Sequence, residues 1–255
     1  MPQMNYPRKI SLVLPLYKPH EGWTEHVCTA LTPIYSFMRE NRICFQVVIA
    51  NDGSPMSYYP DNALTKIKAL CDEFLFSTYE KNHGKGYSLR HAVAMADGEY
   101  ILYTDGDFPF GWECIVAACK KLAQGADIVM GTRGQDYSKA LHPLRKVLSR
   151  TVRIMNRIIL GMPMKYLDTQ AGMKAFKRGR GKELFLATTV DTFVFDLEFI
   201  LNAWRERLQI ETVSLKIRDN IKLSRMGYKI LLRELRYFIL ILLKHWMRLL
   251  KQKSR

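Results

Sequence analysis

Short apolar segments that end in polar loops, and that alternate with helical stretches, constrain the fold of this chain more than any other feature. Apolar residues dominate 10–17, 45–50, 99–104 and 126–131, and apolar residues at helical spacing occupy 22–40, 62–76, 86–96 and 112–122. Repeated buried strands with helices between them predict right-handed βαβ units. We therefore expect an α/β fold in which helices flank a mainly parallel central sheet.

The second half of the chain has a less regular pattern and ends in a basic segment. Helices are predicted over 143–160 and 195–205, strands over 171–176 and 210–217, and a long amphipathic helix over 228–250. We expect one domain over residues 1–225 and, after it, a basic amphipathic helix over residues 226–255.

Positive charge is concentrated in the second half. Residues 1–127 hold 12 Lys and Arg against 14 Asp and Glu, a net charge of −2, whereas residues 128–255 hold 27 against 10, a net charge of +17. This asymmetry indicates a polyanionic partner (nucleic acid, an anionic membrane or a phosphorylated substrate), and a solvated basic surface is the simpler alternative. No helix-turn-helix, RNP or zinc-finger pattern occurs, so no nucleic-acid partner is expected.

Cysteine usage and apolar-segment length predict a cytoplasmic location. The five cysteines are widely spaced and form no C-x-x-C pair, which favours buried thiols in a reducing compartment. No secretory signal is recognised, and the longest apolar run near the C-terminus, 237–243, is seven residues long. Because a membrane span needs about 20 residues, the chain is expected to meet a membrane only at its surface.

Two carboxylates follow one of the predicted strands directly. Asp105 and Asp107 flank Gly106 after the strand 99–104, and Asp52 follows the strand 45–50. Ligands of open α/β sheets bind at the carboxyl ends of the strands. Mg²⁺ favours one or two protein carboxylates together with substrate phosphates. An acidic turn is the simpler interpretation, but the position at a strand end favours a metal–diphosphate site.

A glycine-rich segment opens the predicted helix over 86–96. In the segment 82–86 (NHGKG), backbone N–H groups and Lys85 could approach a phosphate. The segment matches neither a Walker A loop nor the G-x-G-x-x-G fingerprint, because Leu89 stands where the third glycine would be. P-loop enzymes and Rossmann dehydrogenases are therefore not favoured.

Taken together, the motifs resemble those of a known enzyme family. They are PLY at 15–17, IANDGS at 49–54, NHGKG at 82–86, ADGEY at 96–100, DGD at 105–107, GTR at 131–133 and DTQAGMK at 168–174. In order and spacing, over roughly residues 10–225, they resemble family 2 glycosyltransferases of the GT-A fold, most closely the dolichol- or polyprenol-phosphate mannose and glucose synthases.

This resemblance implies a site and a set of partners. Pro15, Tyr17 and Asp52 would hold the base and ribose of a UDP- or GDP-linked sugar, with Lys85 and Gly106 near the donor. Asp105 and Asp107 would bind Mg²⁺ or Mn²⁺, with Asp107 favoured as the direct ligand. Arg133, Arg145 and Ser149 would contact the acceptor phosphate, Asp168 would act near the sugar and acceptor, and Arg218, Ser224 and Arg225 would close over the diphosphate.

The sequence departs from the family pattern at two places. Pro19 stands where the family usually has an acidic residue, and Ser224-Arg225 replaces the usual Ser-Lys of the closing loop. The membrane-spanning C-terminal helices of some members are not recognised in this sequence.

The implied reaction is inverting sugar transfer from the nucleotide diphosphate to a lipid phosphate. A phosphate acceptor is largely ionised near pH 7 and needs no strong base, whereas a hydroxyl acceptor would need one, for which Asp168 is the candidate. The helix over 228–250 has the pattern of a helix at a membrane interface, which predicts a peripheral enzyme on the inner face of a membrane. Docking of this helix on the protein's own core or on a second subunit is the alternative.

Two other functions remain open at this point. One is transfer to a saccharide or lipid hydroxyl in envelope polysaccharide assembly, and the other is basic nucleic-acid binding.

Overall fold

The computed structural model describes residues 6–133, 153–154, 156–158, 160–163, 166, 168–216 and 228–253. Within these ranges, seven strands form one sheet in the spatial order β3-β2-β1-β4-β6-β5-β7. The strands are β1 (Lys9–Leu16), β2 (Cys44–Asn51), β3 (Glu73–Thr78), β4 (Tyr100–Tyr103), β5 (Ile128–Arg133), β6 (Lys174–Lys177) and β7 (Ile210–Leu215). β6 runs antiparallel to β4 and β5, and the other neighbouring pairs are parallel. The expected mainly parallel sheet is confirmed.

Five of the seven α-helices in the described residues lie close to their predicted positions, whereas the short helix over 183–186 was not predicted and the one predicted over 62–76 is shorter. The seven helices are α1 (Trp23–Glu40), α2 (Asp61–Lys68), α3 (Lys85–Met95), α4 (Glu113–Ala123), α5 (Glu183–Leu186), α6 (Phe195–Arg205) and α7 (Tyr228–Lys253). The predicted helix over 143–160 lies mostly outside the described residues, as does the predicted domain boundary after residue 225.

The predicted helix over 62–76 is wrong in its second half. α2 ends at Lys68, and the chain turns into β3, which pairs with β2. Asp72 holds this turn: its backbone N–H donates to the Phe45 carbonyl at 2.9 Å, and its carboxylate accepts from the Phe45 N–H at 2.8 Å and from the Tyr35 hydroxyl at 2.9 Å. Pairing with a central strand outweighs the helical spacing of this segment.

Both faces of the sheet are buried, which explains why its strands have nearly continuous apolar sequences. Along β1, Leu12 and Leu14 face one core together with α1, α2 and α4, whereas Val13 faces a second core together with α3, α5, α6 and α7. The helices thus cover both faces, and the carboxyl edge of the sheet is left to the loops.

The long helix α7 has apolar residues on two of its sides and not along a single stripe. Phe238 and Ile241 are buried in the second core, and the Glu234 carboxylate accepts the Val194 N–H at 3.1 Å. Other large apolar side chains of α7 are exposed, among them Leu235 and Ile239. Among the helices of the described residues, none has the length and apolar composition required to cross a membrane.

Candidate functional site

The strand directions bring the predicted motifs to one edge of the sheet. β1, β2, β4 and β5 all end at this edge, and β6 begins there because it runs the opposite way. Lys174, the first residue of β6, pairs with Tyr103 at the end of β4 and with Met130 in β5. The loop after β4, the end of β5 and the segment before β6 therefore meet.

Asp105 lies between a lysine and a glycine at this edge. Its Oδ1 accepts a hydrogen bond from Lys85 Nζ at 2.5 Å, and Lys85 is the first residue of α3. A Cβ atom at Gly172 would lie 2.1 Å from Asp105 Oδ2. Gly172 is thus required for the close approach of the segment before β6 to the carboxylate, and Lys85 holds the carboxylate from the other side.

The acidic pair generates a negative field that Lys85 partly balances. Desolvation by the surrounding protein and the negative charge of Asp105 raise the pKa of Asp107. Burial would lower the pKa of Lys85, but the nearby carboxylates, Asp105 foremost and then Asp196, raise it above its usual value. Lys85 therefore carries its positive charge beside two carboxylates, and the ionised form of Asp107 is disfavoured by burial and by the charge of Asp105.

A buried ionic cluster beneath the pair was missed by the sequence analysis. Lys174 is fully buried, its Nζ lies 3.1 Å from Asp196 Oδ1 and donates to the Ala171 carbonyl at 2.5 Å, and the Tyr103 hydroxyl also donates to Asp196. Asp196 lies on α6 between the buried Phe195 and Leu197. A carboxylate on the apolar face of a predicted helix was the signal that could have revealed it, since buried charges require partners.

Asp52 organises the loop that leads into α3. Its carboxylate accepts hydrogen bonds from the Tyr79 hydroxyl at 2.8 Å, Asn82 Nδ2 at 2.7 Å, the His83 N–H at 2.9 Å and the Gly84 N–H at 3.0 Å. The residue is buried. Asp52 therefore shapes the surface next to Lys85 through its loop contacts.

The other residues predicted near the donor lie at the end of β1. Pro15 is half-buried, and the Tyr17 side chain is 48% exposed, with Lys18 Nζ 5.4 Å from the centre of its ring. A Cβ atom at Gly106 would lie 2.3 Å from Leu16 Cδ2. Gly106 therefore allows the loop after β4 to pack directly on the end of β1, and an exposed aromatic ring remains beside it.

Several backbone amides in and just after the segment 82–86 already have partners within the protein. The N–H groups of Gly86 and Tyr87 both donate to the Asp191 carbonyl, at 2.8 and 3.4 Å. A Cβ atom at Gly86 would lie 2.4 Å from the Val190 carbonyl oxygen. Gly86 therefore allows α3 to pack closely against the segment 188–194. Lys85 is the residue of this motif whose side chain contacts the acidic pair.

The segment 188–194 ties three helices together. Arg90 of α3 donates to the Val190 carbonyl at 2.7 Å and pairs with Asp191. Glu198 of α6 accepts the Thr189 and Val190 N–H groups at 2.7 and 3.0 Å, and Lys244 of α7 donates to Thr189 Oγ1. The start of α3, which carries Lys85, is thereby connected to the C-terminal helix.

Arg133 and Asp168 form a buried ion pair at the end of β5. Arg133 donates to Asp168 from its backbone N–H at 2.6 Å, from Nε at 3.0 and 3.1 Å, and from Nη2. Burial alone would raise the pKa of Asp168, but the hydrogen bonds and positive charge of Arg133 hold it below its usual value. Asp168 is thus an ionised carboxylate that orients Arg133.

The remaining predicted residues lie outside the described part of the chain. These are Arg145 and Ser149 of the predicted acceptor site and Arg218, Ser224 and Arg225 of the predicted closing loop.

The residues at the carboxyl edge fit a hard divalent cation that binds together with a diphosphate. Asp105 and Asp107 supply carboxylate oxygens, the ligands that Mg²⁺ and Mn²⁺ favour. Within the described ranges, no group of three or more His, Cys, Asp and Glu side chains could hold a metal. Two carboxylates beside a lysine match a cation whose other ligands are phosphate and water.

The comparison with known families agrees with this site. The model of the family described as "Glycosyl transferase family 2" matches residues 34–178, more than half of the chain. The chain belongs to glycosyl transferase family 2.

Curated relatives show which kind of family member the chain is similar to. The chain is 26% identical over 227 residues to a dolichyl-phosphate beta-glucosyltransferase of Saccharomyces cerevisiae, a match that covers 80% of this chain and 65% of the relative. It is 28% identical over 207 residues to the dolichyl-phosphate beta-glucosyltransferase ALG5A of Trichomonas vaginalis, covering 79% and 63%. The chain thus resembles these synthases and spans somewhat less than two thirds of their length.

Solved structures share the fold. A glucosyl-3-phosphoglycerate synthase from Mycobacterium tuberculosis, in complex with Mn²⁺, UDP-glucose and phosphoglyceric acid, matches with a TM-score of 0.62 at 17% identity, over 93% of this chain and 79% of that one. A mannosyl-3-phosphoglycerate synthase from Rubrobacter xylanophilus matches with a TM-score of 0.62 at 17% identity, over 97% and 75%. The expected GT-A fold is confirmed.

Proposed function

We propose that this chain transfers a sugar, with inversion, from a UDP- or GDP-linked donor to a polyprenyl or dolichyl phosphate, and that the transfer depends on Mg²⁺ or Mn²⁺. The observation that carries the proposal is the placement of Asp105, Asp107 and Lys85 beside the Arg133–Asp168 pair at one edge of the sheet. The names of the curated relatives favour glucose as the sugar and a dolichyl phosphate as the acceptor.

The donor is held in this proposal by groups at the ends of β1, β2 and β4. Tyr17 and Pro15 contact the base, the loop that Asp52 organises contacts the ribose, and Lys85 neutralises part of the diphosphate charge. Asp105 and Asp107 would hold the cation. When bound, the cation stabilises the negative charge that develops on the leaving nucleoside diphosphate.

The electrostatics of Asp168 favour a phosphate acceptor over a hydroxyl. Arg133 lowers the pKa of Asp168, so this carboxylate is a weaker base than an unpaired one. A lipid phosphate needs no such base, because its second pKa is about 6. An ionised phosphate oxygen attacks the anomeric carbon, a carbon–oxygen bond to the diphosphate breaks, and Asp168 keeps Arg133 aimed at the acceptor side. In this proposal, Arg145 and Ser149 contact the same phosphate, and Arg218, Ser224 and Arg225 close over the donor.

A lipid acceptor also agrees with apolar side chains on the segment that follows Arg145 and Ser149. Ile154 and Ile158, one helical turn apart, are exposed by 56% and 76%. Exposed large apolar side chains beside a basic segment suit a substrate with an apolar chain and a charged head. We place the enzyme on the inner face of a membrane as a peripheral protein.

The proposal is tested by transfer assays with the full chain, UDP-glucose or GDP-mannose, and Mn²⁺. We expect glycosyl lipid from dolichyl phosphate and none from dolichol, which lacks the phosphate, or from a saccharide acceptor. Because the cation loses a carboxylate ligand, Asp107→Asn should lower kcat/KM about 100-fold or more. Glu113→Gln, which removes an exposed carboxylate on α4, is the matched control and should retain activity.

Three results would overturn the proposal. They are transfer to the saccharide in preference to the lipid phosphate, unchanged turnover by Asp107→Asn, and full activity in the presence of a metal chelator. Nuclear magnetic resonance of the product tests inversion, because the anomeric configuration must be opposite to that of the donor.

A further inference from the structure

The outer face of α7 carries a row of large apolar side chains that the described part of the protein leaves exposed. Most successive members lie three or four residues apart, and all of them fall on one side of the helix. The row consists of Leu235, Ile239, Leu243, Trp246 and Met247, exposed by 46–55%. Contiguous exposed apolar residues of this size indicate an interaction surface.

The opposite side of the same helix is already used for attachment to the protein. Phe238 and Ile241 are buried in the second core, Glu234 accepts the Val194 N–H, and Lys244 donates to Thr189 Oγ1. The outer row is therefore not needed to hold α7 in place. Because one face of α7 packs on the protein and the opposite face is apolar and exposed, the exposed face is available to a binding partner.

Positive charge accompanies the outer row. Residues 228–255 contain eight Lys and Arg and one acidic residue, a net charge of +7. Arg233 and Arg236 lie on α7 with exposed side chains. Apolar side chains flanked by Lys and Arg, with a Trp among them, form the combination that a helix uses to lie in the interface of an anionic bilayer.

Other occupants fit this combination less well. Two copies that met through the same face would place two strongly basic helices side by side, because an isologous contact is self-complementary. A nucleic acid would engage the cations but would leave the Leu, Ile and Met side chains in water. An anionic lipid surface satisfies both the apolar row and the charge.

We propose that the outer face of α7 docks on an anionic phospholipid bilayer. The apolar row inserts at the boundary between headgroups and acyl chains, and the flanking cations face the lipid phosphates. This proposal rests on the proposed function, since it explains how an enzyme with its acceptor site at the carboxyl edge of the sheet reaches a substrate that resides in a membrane.

The test measures binding of the full chain to vesicles by flotation. Vesicles of phosphatidylcholine alone are compared with vesicles that also contain phosphatidylglycerol, and only the anionic vesicles should retain the protein. Ile239→Ser together with Leu243→Ser should weaken binding about 100-fold, because two apolar anchors are lost. Met56→Ser together with Met95→Ser removes two exposed apolar side chains elsewhere and should leave binding unchanged.

A second pair of substitutions separates charge from apolar insertion. Arg233→Gln with Arg236→Gln should reduce the preference for anionic vesicles about 30-fold while leaving the melting temperature close to that of the parent chain. If wild-type chain does not float with anionic vesicles, the docking surface is refuted. It is equally refuted if Ile239→Ser/Leu243→Ser converts a dimer into a monomer without affecting flotation, because a second copy then covers the face.

Failure of this proposal is distinguishable from failure of the proposed function. Transfer to a short-chain, water-soluble polyprenyl phosphate reports on the catalytic site without a bilayer. Normal transfer without vesicle binding overturns only the docking surface, and vesicle binding without transfer overturns only the proposed reaction.

Discussion

At the scale of single residues, the site depends on close contacts that leave no room for an additional atom. Gly172 approaches Asp105 more closely than any side chain would permit, while Lys85 holds the same carboxylate from α3. The position of Asp105 is thus determined by one contact to each side. A change of a few atoms at either contact moves the carboxylate without touching the core.

Substitution of Gly172 tests this arrangement. In Gly172→Ala the new methyl group would meet Asp105 Oδ2 at 2.1 Å, so the carboxylate must move. A displacement of about 1 Å at a reacting centre can cost roughly 100-fold in rate, and we expect a loss of that order in kcat/KM. Titration calorimetry with Mn²⁺ and UDP should show weaker binding.

The control for this variant is its thermal unfolding. The melting temperature should remain close to that of the parent chain, because the methyl group lies at the edge of the sheet. An alanine variant with parental Mn²⁺ affinity would show that Asp105 is not restrained in this way.

Lys174 and Asp196 show what residue-level interpretation of the sequence could and could not supply. The motif 168–174 was recognised, but its amino-acid sequence gave no sign that Lys174 is buried and paired with a carboxylate of α6. That pairing depends on the antiparallel insertion of β6 between β4 and β5. A long-range strand order of this kind is not encoded in local spacing.

At the scale of elements, α7 is a helix with two different faces. The amphipathic pattern of the sequence predicted the helix, but it did not separate the residues that dock on the second core from those that stay exposed. The separation arises because only one face can reach Val194 and Thr189 of the segment 188–194.

Two alanine substitutions within α7 distinguish these faces. Phe238→Ala opens a cavity in the second core and should lower the free energy of unfolding by about 3–5 kcal/mol. Leu243→Ala removes a side chain that is 54% exposed and should change it by no more than about 0.5 kcal/mol. Urea unfolding of both variants provides the measurement, and equal effects would contradict the assignment of the faces.

At the scale of the whole molecule, the sequence predicted most of the architecture because strand and helix periods were clear. The error in 62–76 came from a tertiary contact: Asp72 fixes a turn against Phe45, and the chain leaves the helix to pair with β2. The hydrogen bonds of Asp52 and of the amides at 86–87 could not be predicted from the sequence either, because they depend on which loop folds against which.

Ligand-linked stabilisation tests the proposed donor site through the stability of the whole chain. At 100 times its Kd, a ligand of the folded state stabilises by about 2.7 kcal/mol, or roughly 5–10 °C in melting temperature for a chain of this size. We expect such a shift with UDP and Mn²⁺ together, and a much smaller one with UMP, which has no second phosphate. Equal shifts from UDP and UMP, or a shift from UDP that ignores Mn²⁺, would speak against a metal–diphosphate site.

The reversed direction of β6 limits the insertions and deletions that the chain can tolerate just before this strand. The segment from Asp168 to Lys174 enters the sheet where its neighbours leave it, so its length sets the distance between the Arg133 pair and the buried lysine. Insertion or deletion of one codon there would turn Lys174 to the other side of the sheet, because side chains alternate along a strand. Exposed loops elsewhere can lengthen or shorten freely, whereas this short stretch is expected to keep its count of residues.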